Sequence, residues 1–264
     1  MEEILKTESL QAGYGKEIVV GDVNISLEPG EVLVLVGPNG SGKSTILKTI
    51  THQLSKLGGT VLLGKSDLQE LSGDEIARMM SLVTTQRLHP EWMSCREMVS
   101  TGRYPYTGRL GILGDSDWKK VDEAIELVRA EDIAEANYNQ ISDGQRQRIM
   151  LARALCQEPE VMVLDEPTSF LDIQFKMDIL GILRRVAKNR NMGVVMSLHE
   201  LEYVMAVADQ VLCVGDGGIQ DRGTPEEVLT GENLEKLFGL PVGSGKPIAQ
   251  GLREYGGIFR EWMK

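Results

Sequence analysis

Eight consecutive residues, Gly37-Pro38-Asn39-Gly40-Ser41-Gly42-Lys43-Ser44, set three glycines, a lysine and a hydroxyl in the spacing G-x-x-x-x-G-K-S. This arrangement suits a polyphosphate. The glycines let the backbone aim successive N–H groups into one concavity, and a helix beginning at the lysine adds its positive end. Lys43 can then reach the terminal phosphates while the Ser44 hydroxyl ligates Mg²⁺. On the order of 0.01 chance matches are expected in a chain of this length. A second group, Asp165-Glu166, ends the apolar run Val161-Met162-Val163-Leu164. A carboxylate at the end of a buried strand beside a phosphate loop can hold Mg²⁺ through water. The carboxylate after it can act as a base or orient the attacking water.

These groups need elements to carry them. Val32–Val36 is a continuous apolar run, the pattern of a strand buried on both faces. After the glycine loop, Ile46, Leu47, Ile50 and Leu54 share one face of a helix. Upstream, Gly13, Gly15, Gly21 and Pro29-Gly30 punctuate short apolar stretches that read as strands joined by turns. A helix is expected from Asp117 through Val121, Ala124, Ile125 and Val128, and a second from near Gln145 with Ile149, Ala152 and Leu155 inward. Strand texture returns at Val161–Leu164, Val194–Leu198 and Val211–Val214, with a helix near Phe175–Lys188 and short ones at 225–230 and 232–238. Beyond Leu240 the chain is glycine-rich and weakly patterned, and a docking lid and a loose end are equally open for it. Strands alternating with helices imply a mostly parallel sheet with an inserted helical stretch.

The 264 residues carry 28 basic and 39 acidic side chains, a net charge of −11, which argues against holding nucleic acid through bulk surface charge. Apolar residues at 42% and charged residues at 25% are ordinary globular usage. No run approaches the ~20 apolar residues that span a bilayer, and the acidic start MEEILKTESLQ is unlike a signal peptide. Cys95, Cys156 and Cys213 are odd in number and widely spaced, which reads as reduced thiols rather than a disulfide framework.

In their order along the chain, these landmarks resemble the ATP-binding-cassette (ABC) ATPases over essentially the whole length. Tyr14 precedes the loop where the family has an adenine-stacking aromatic. Gln86, after Ser81-Leu82-Val83-Thr84-Thr85, matches a glutamine of the Mg²⁺ shell that senses the membrane partner. Ile141-Ser142-Asp143-Gly144-Gln145 resembles the signature LSGGQ, Ser169-Phe170-Leu171-Asp172 the loop that communicates across the dimer, and His199 the switch histidine. The resemblance implies an α/β P-loop NTPase core with an N-terminal antiparallel β subdomain and an inserted α-helical subdomain. It makes residues 1–264 one domain, with a nucleotide-binding core of about 1–86 and 161–239, a helical signature subdomain of about 87–160 and a short tail at 240–264. ATP is expected on Tyr14, Gly37, Pro38, Asn39, Gly40, Ser41, Gly42, Lys43, Ser44 and Thr45, and in trans on Ser142, Gly144 and Gln145. Mg²⁺ falls to Ser44, Gln86 and Asp165; catalysis to Glu166, His199, Gln86 and Lys43; dimer communication to Asp172. Asp143 departs from the signature's glycine and is expected to face away from the partner's phosphate, pairing with Arg146 or Arg148. Glu200 stands where aspartate is common.

One phosphate loop and one signature leave a stand-alone cassette that dimerises. Two readings remain open: the ATPase subunit of an importer, at the cytoplasmic face of the membrane, or a soluble assembly ATPase such as that of iron–sulfur cluster biogenesis. The run Gly102-Arg103-Tyr104-Pro105-Tyr106-Thr107-Gly108 resembles cassettes serving importers of iron–siderophore, haem or cobalamin. That resemblance implies separate permease subunits and an external substrate-binding protein. Tyr104 and Tyr106 are read as a stiff aromatic projection facing the permease.

Overall fold

A computed structural model describes residues 3–84, 90–108 and 111–263. Its strands are β1 (Leu5–Tyr14), β2 (Glu17–Val23), β3 (Ser26–Leu27), β4 (Val32–Val36), β5 (Gly58–Leu63), β6 (Ser66–Asp67), β7 (Met80–Val83), β8 (Val161–Leu164), β9 (Gly193–Ser197), β10 (Gln210–Gly215) and β11 (Gly218–Gly223). The helices are α1 (Lys43–Ile50), α2 (Gly73–Met79), α3 (Cys95–Ser100), α4 (Asp115–Leu127), α5 (Asp143–Cys156), α6 (Ile173–Arg190), α7 (Leu201–Val207), α8 (Pro225–Val228), α9 (Gly231–Phe238) and α10 (Gly245–Trp262).

One sheet runs β11-β10-β4-β9-β8-β7, parallel from β10 to β7 with β11 antiparallel at its edge. The other is antiparallel, in the order β2-β1-β5-β6 with β3 on β1. β4 shows why its sequence is apolar throughout: all five side chains are fully buried, on alternate faces. Leu33 and Leu35 join a core with Leu5, Leu10 and Val61 of the antiparallel sheet and with Ile46 and Ile50 of α1. Val32, Val34 and Val36 join a second core with residues of α6, α7 and the inserted helices. Burying a Val or Leu side chain contributes roughly 1.5–3 kcal/mol, so β4, clamped between two cores, fixes the start of the glycine loop.

α3, α4 and α5 lie between β7 and β8 in the chain and pack on one another. Boundaries differ from the sequence expectation at several places: α1 ends at Ile50, so Leu54 lies beyond it, and α4 starts at Asp115 rather than Asp117. α5 begins at Asp143 rather than near Gln145, because Ser142 and Gln145 form a capping box: Ser142 Oγ accepts from Gln145 N at 3.3 Å, and Gln145 Oε1 accepts from Ser142 N at 2.9 Å. The weakly patterned tail is an 18-residue helix, α10, packed on α7 and α9. Its contact face sets small residues beside large ones: an added Cβ at Gly256 would lie 2.4 Å from Met205 Cβ, while Leu252 is buried and Phe259 packs on the Tyr203 ring. The three cysteines are buried and unbonded, and burial pushes their thiols up to about 11 at Cys95 and about 12 at Cys156 and Cys213. Among the described residues no helix is long and apolar enough to cross a membrane.

Candidate functional site

Between β4 and α1 the loop turns on glycines in the left-handed region, with φ of +152° at Gly37, +78° at Gly40 and +99° at Gly42. Two of these also lack room for a side chain. A Cβ at Gly37 would fall 2.1 Å from the Val214 carbonyl oxygen, and one at Gly42 would fall 2.0 Å from Val20 Cγ2. β2 therefore presses on the loop, and the same hairpin presents Tyr14, half exposed, at its turn. Pro38, Asn39 and Gly40 form the open part of the loop, while Lys43 and Thr45 are buried. Lys43 Nζ donates to the carbonyls of Gly37 (2.8 Å) and Pro38 (2.9 Å). Burial pulls its ammonium below the usual lysine range, opposed by the carboxylates of Glu166 and Asp165. The loop carries a buried hydroxyl, Ser41 Oγ, with no hydrogen-bond partner among the described residues, the kind of donor a phosphate oxygen satisfies.

The neighbouring strands bring oxygen ligands to the loop. Ser44 Oγ donates to Asp165 Oδ1 at 3.1 Å, and Ser197 Oγ donates to the same oxygen at 2.7 Å. Hydroxyl and carboxylate oxygens are the hard donors a Mg²⁺ ion takes, so the residues fit that ion. Gln86, expected among them, lies outside the described residues. Ser197 also accepts from Glu166 N at 2.9 Å, tying β8 to β9 where the catalytic carboxylate leaves the sheet.

Glu166 sits in the left-handed region at φ +49°, a conformation that costs free energy in a non-glycine residue and recurs at functional sites. Its carboxylate is held on both sides: Oε1 lies 2.6 Å from His199 Nε2, and Oε2 accepts from Ser169 Oγ at 2.9 Å. Burial favours the neutral acid, but the hydrogen bonds from His199 and Ser169 and the charges of His199 and Lys43 outweigh it, holding the carboxyl below the usual glutamate range. Glu200 accepts from Lys176 Nζ at 2.5 Å and Thr168 Oγ1 at 3.1 Å, linking the segment after β9 to α6 and to the loop before it.

The signature stands at the start of α5, with Ser142 as its cap and Gly144 and Gln145 in the first turn. Ser142, Asp143 and Gln145 each form a hydrogen bond within that turn. Asp143 pairs with Arg146 at 2.6 Å, whereas Arg148 pairs with Asp178 instead. As the first helical residue, an acidic Asp143 also complements the helix dipole. It lines a small cavity with Glu166, Ser169, Phe170 and Thr84. Gly144 is buried because a Cβ there would meet the Phe175 ring at 2.8 Å. Asp172 caps α6, accepting from Phe175 N at 3.0 Å, so signature and communication loop share one contact through Phe175.

Ser197, Ser169 and Lys176 were not singled out from sequence. Ser197 carried a faint signal, a fully buried hydroxyl ending an otherwise apolar strand. The two tyrosines of the 102–108 run part ways. Tyr104 is about half exposed, and Tyr106, also exposed on one side, lies 4.0 Å beneath the Arg103 guanidinium and donates to the Gln157 carbonyl. Arg103 itself is buried and bonded to Asp117, Glu158 and the Cys156 carbonyl, so this half of the run is framework rather than projection.

Residues 20–169 match the ABC transporter family. The chain is 40% identical to an uncharacterized ABC transporter ATP-binding protein of Methanocaldococcus jannaschii, over 90% of this chain and 82% of the other. It is 35% identical to the iron(3+)-hydroxamate import ATP-binding protein FhuC of Bacillus subtilis, over 89% and 87%. Among solved structures, a metal-chelate type ABC transporter in an inward-facing conformation superposes with a TM-score of 0.80 at 28% identity, covering 90% of each chain. The phosphate loop, the paired carboxylates and these likenesses agree: this chain belongs to the ABC transporter family, as one of its ATP-binding, ATP-hydrolysing subunits.

Proposed function

We propose that two copies of this chain close head to tail around two ATP molecules and drive a separate membrane permease, fed by an external binding protein, in the uptake of an iron chelate, haem or cobalamin. In this reading the subunit sits at the cytoplasmic face of the membrane. The likeness to an iron-hydroxamate import protein and to a metal-chelate transporter carries it. Both of these name transport proteins, which favours the importer over the soluble assembly ATPase.

Within each site the phosphate loop and Lys43 hold the phosphates, and Tyr14 stacks on adenine. Ser44, Asp165 and Gln86 would hold Mg²⁺, which when bound would neutralise charge developing on the transferred phosphoryl group. Glu166 takes the proton of the attacking water. His199 and Ser169 keep its carboxylate ionised and fixed, and Asp172 relays between copies. Ser142, Gly144 and Gln145 of the second copy face the γ-phosphate from across the dimer, with helix N–H groups and the Ser142 hydroxyl as donors.

The permease docks in a groove of about 510 Å³ between α2 and α5, floored by Ile76, Met80, Leu82 and Met150. Thr84, directly after β7, lines it as well. Arg153 adds a partly buried cation whose hydrogen bond goes to neutral Thr101, and Tyr104 stands near enough to interact with it. The test is a detergent pull-down of tagged Glu166→Gln protein with Mg-ATP from its native membranes, read by mass spectrometry. Near-stoichiometric recovery of a polytopic permease supports the importer; recovery of soluble assembly proteins alone overturns it.

A further inference from the structure

A second cavity, of about 320 Å³, shares no wall with the phosphate loop, with Asp165–Glu166 or with His199. Its floor is apolar, formed by buried Val128, Met177 and Ile182. Around it stand three guanidinium groups, Arg129, Arg148 and Arg185, and the indole of Trp262, which is 73% exposed. In a chain of net charge −11, three arginines facing one cavity are a local reversal of sign.

The single carboxylate lining the cavity, Asp178, is engaged by Arg148 Nη2 at 2.7 Å, and Arg148 Nε is buried without a hydrogen-bond partner among the described residues. Arg129 and Arg185 form no ion pair among the described residues. Backbone geometry places both. Arg129 follows the end of α4 on a left-handed residue, φ +55°. Arg185 lies along α6 over Gly181, where an added Cβ would sit 3.2 Å from its Nη1 and 3.7 Å from Met263 Cγ. Glycine inside a helix is destabilising relative to alanine; here it leaves the space in which the guanidinium lies.

We propose that this cavity is a binding site for a small organic dianion bearing a planar ring. Phosphate or paired carboxylate groups would meet Arg129 and Arg185, with Arg148 as a further donor, because the guanidinium fork matches both groups. The ring covers the apolar floor beside the Trp262 indole. The walls come from α4 and α5 of the inserted helices, from α6, and from the end of α10. A bound ligand therefore ties these three parts together, and any shift between them during nucleotide turnover is linked reciprocally to its affinity.

The probe is phenyl phosphate, with inorganic phosphate as the ring-free comparison. Each is titrated into the full chain while Mg-ADP saturates the phosphate loop, and binding is followed by calorimetry and tryptophan emission. Saturable binding with a Kd of about 0.1–1 mM, several-fold tighter than for phosphate, is expected, with the emission change lost in Trp262→Phe. Affinity is expected to fall about tenfold in Arg185→Ala and also in Gly181→Ala, whose methyl group takes the space in which the Arg185 guanidinium lies. Arg185 has no partner to orphan, so its removal should leave the melting midpoint and basal ATPase unchanged. Heats and emission flat through the millimolar range would overturn the site, as would affinity unaffected by the Arg129→Ala/Arg185→Ala pair.

Discussion

At Glu166, one carboxylate is held from two sides, and the two holds do different work. Ser169 fixes one oxygen with a hydrogen bond that helps keep the group ionised; His199 fixes the other and adds both a hydrogen bond and a charge against burial. Removing the carboxylate while keeping its shape, in Glu166→Gln, should lower turnover by about 10²-fold or more while Mg-ATP still binds. Single-turnover hydrolysis beside a nucleotide-binding assay checks this, and near-normal hydrolysis would exclude Glu166 as the base. The sign of a His199→Ala effect follows from the same balance. Burial raises the carboxyl and His199 lowers it, so losing His199 should move the Glu166 titration to higher pH. In the wild type, whose carboxyl is held low, this contribution to stability is present above the ordinary glutamate range and is lost as pH falls through the depressed value. Carboxyl ¹³C titration of labelled Glu166 in both proteins measures the shift, and identical midpoints would exclude His199 as its cause.

At the scale of elements, the contact that organises the site is Gly144 against Phe175, where α5 meets the first turn of α6. A methyl group at Gly144 cannot be placed without moving the ring or the helix, so Gly144→Ala should destabilise the chain by about 1–3 kcal/mol, read by urea unfolding. Phe175→Leu in the same chain should recover part of that loss; no recovery would place the strain elsewhere. The contact also shows what sequence could and could not disclose. Phosphate loop, paired carboxylates and signature were legible because their chemistry is written in consecutive residues with a strand or helix beside them. Ser197 was not, because its role depends on β9 lying next to β8 in the sheet. The start of α5 was placed two residues late because Ser142 and Gln145 were read as motif rather than as a capping box. For α10 the four glycines Gly245, Gly251, Gly256 and Gly257 argue against a helix, although Ile248, Leu252, Tyr255, Phe259 and Trp262 recur at helical spacing, the signal that could have found it.

For the whole molecule, the N–H groups at the start of α5, beside the signature, are the donors that a ligand held by another copy would meet. If each composite site joins the phosphate loop of one copy to the signature of the other, two differently disabled chains should complement. Lys43→Ala spoils the loop and keeps the signature, while Ser142→Glu keeps the loop and sets a carboxylate against the partner's γ-phosphate. Homodimers of either variant then hold no intact site. A mixed dimer holds one, formed from the loop of the Ser142→Glu copy and the signature of the Lys43→Ala copy. In an equal mixture half the dimers are mixed and each has one good site of two, so about a quarter of the wild-type sites should return. ATPase measured against mixing ratio should therefore rise to a maximum near equal proportions, with a Mg-ATP-dependent dimer in sedimentation. ATP must bind the closed pair better than the separate chains for it to move a permease at all. Activity that never exceeds the sum of the separate variants would mean that each chain hydrolyses ATP within its own boundaries. The head-to-tail closure would then have to be given up.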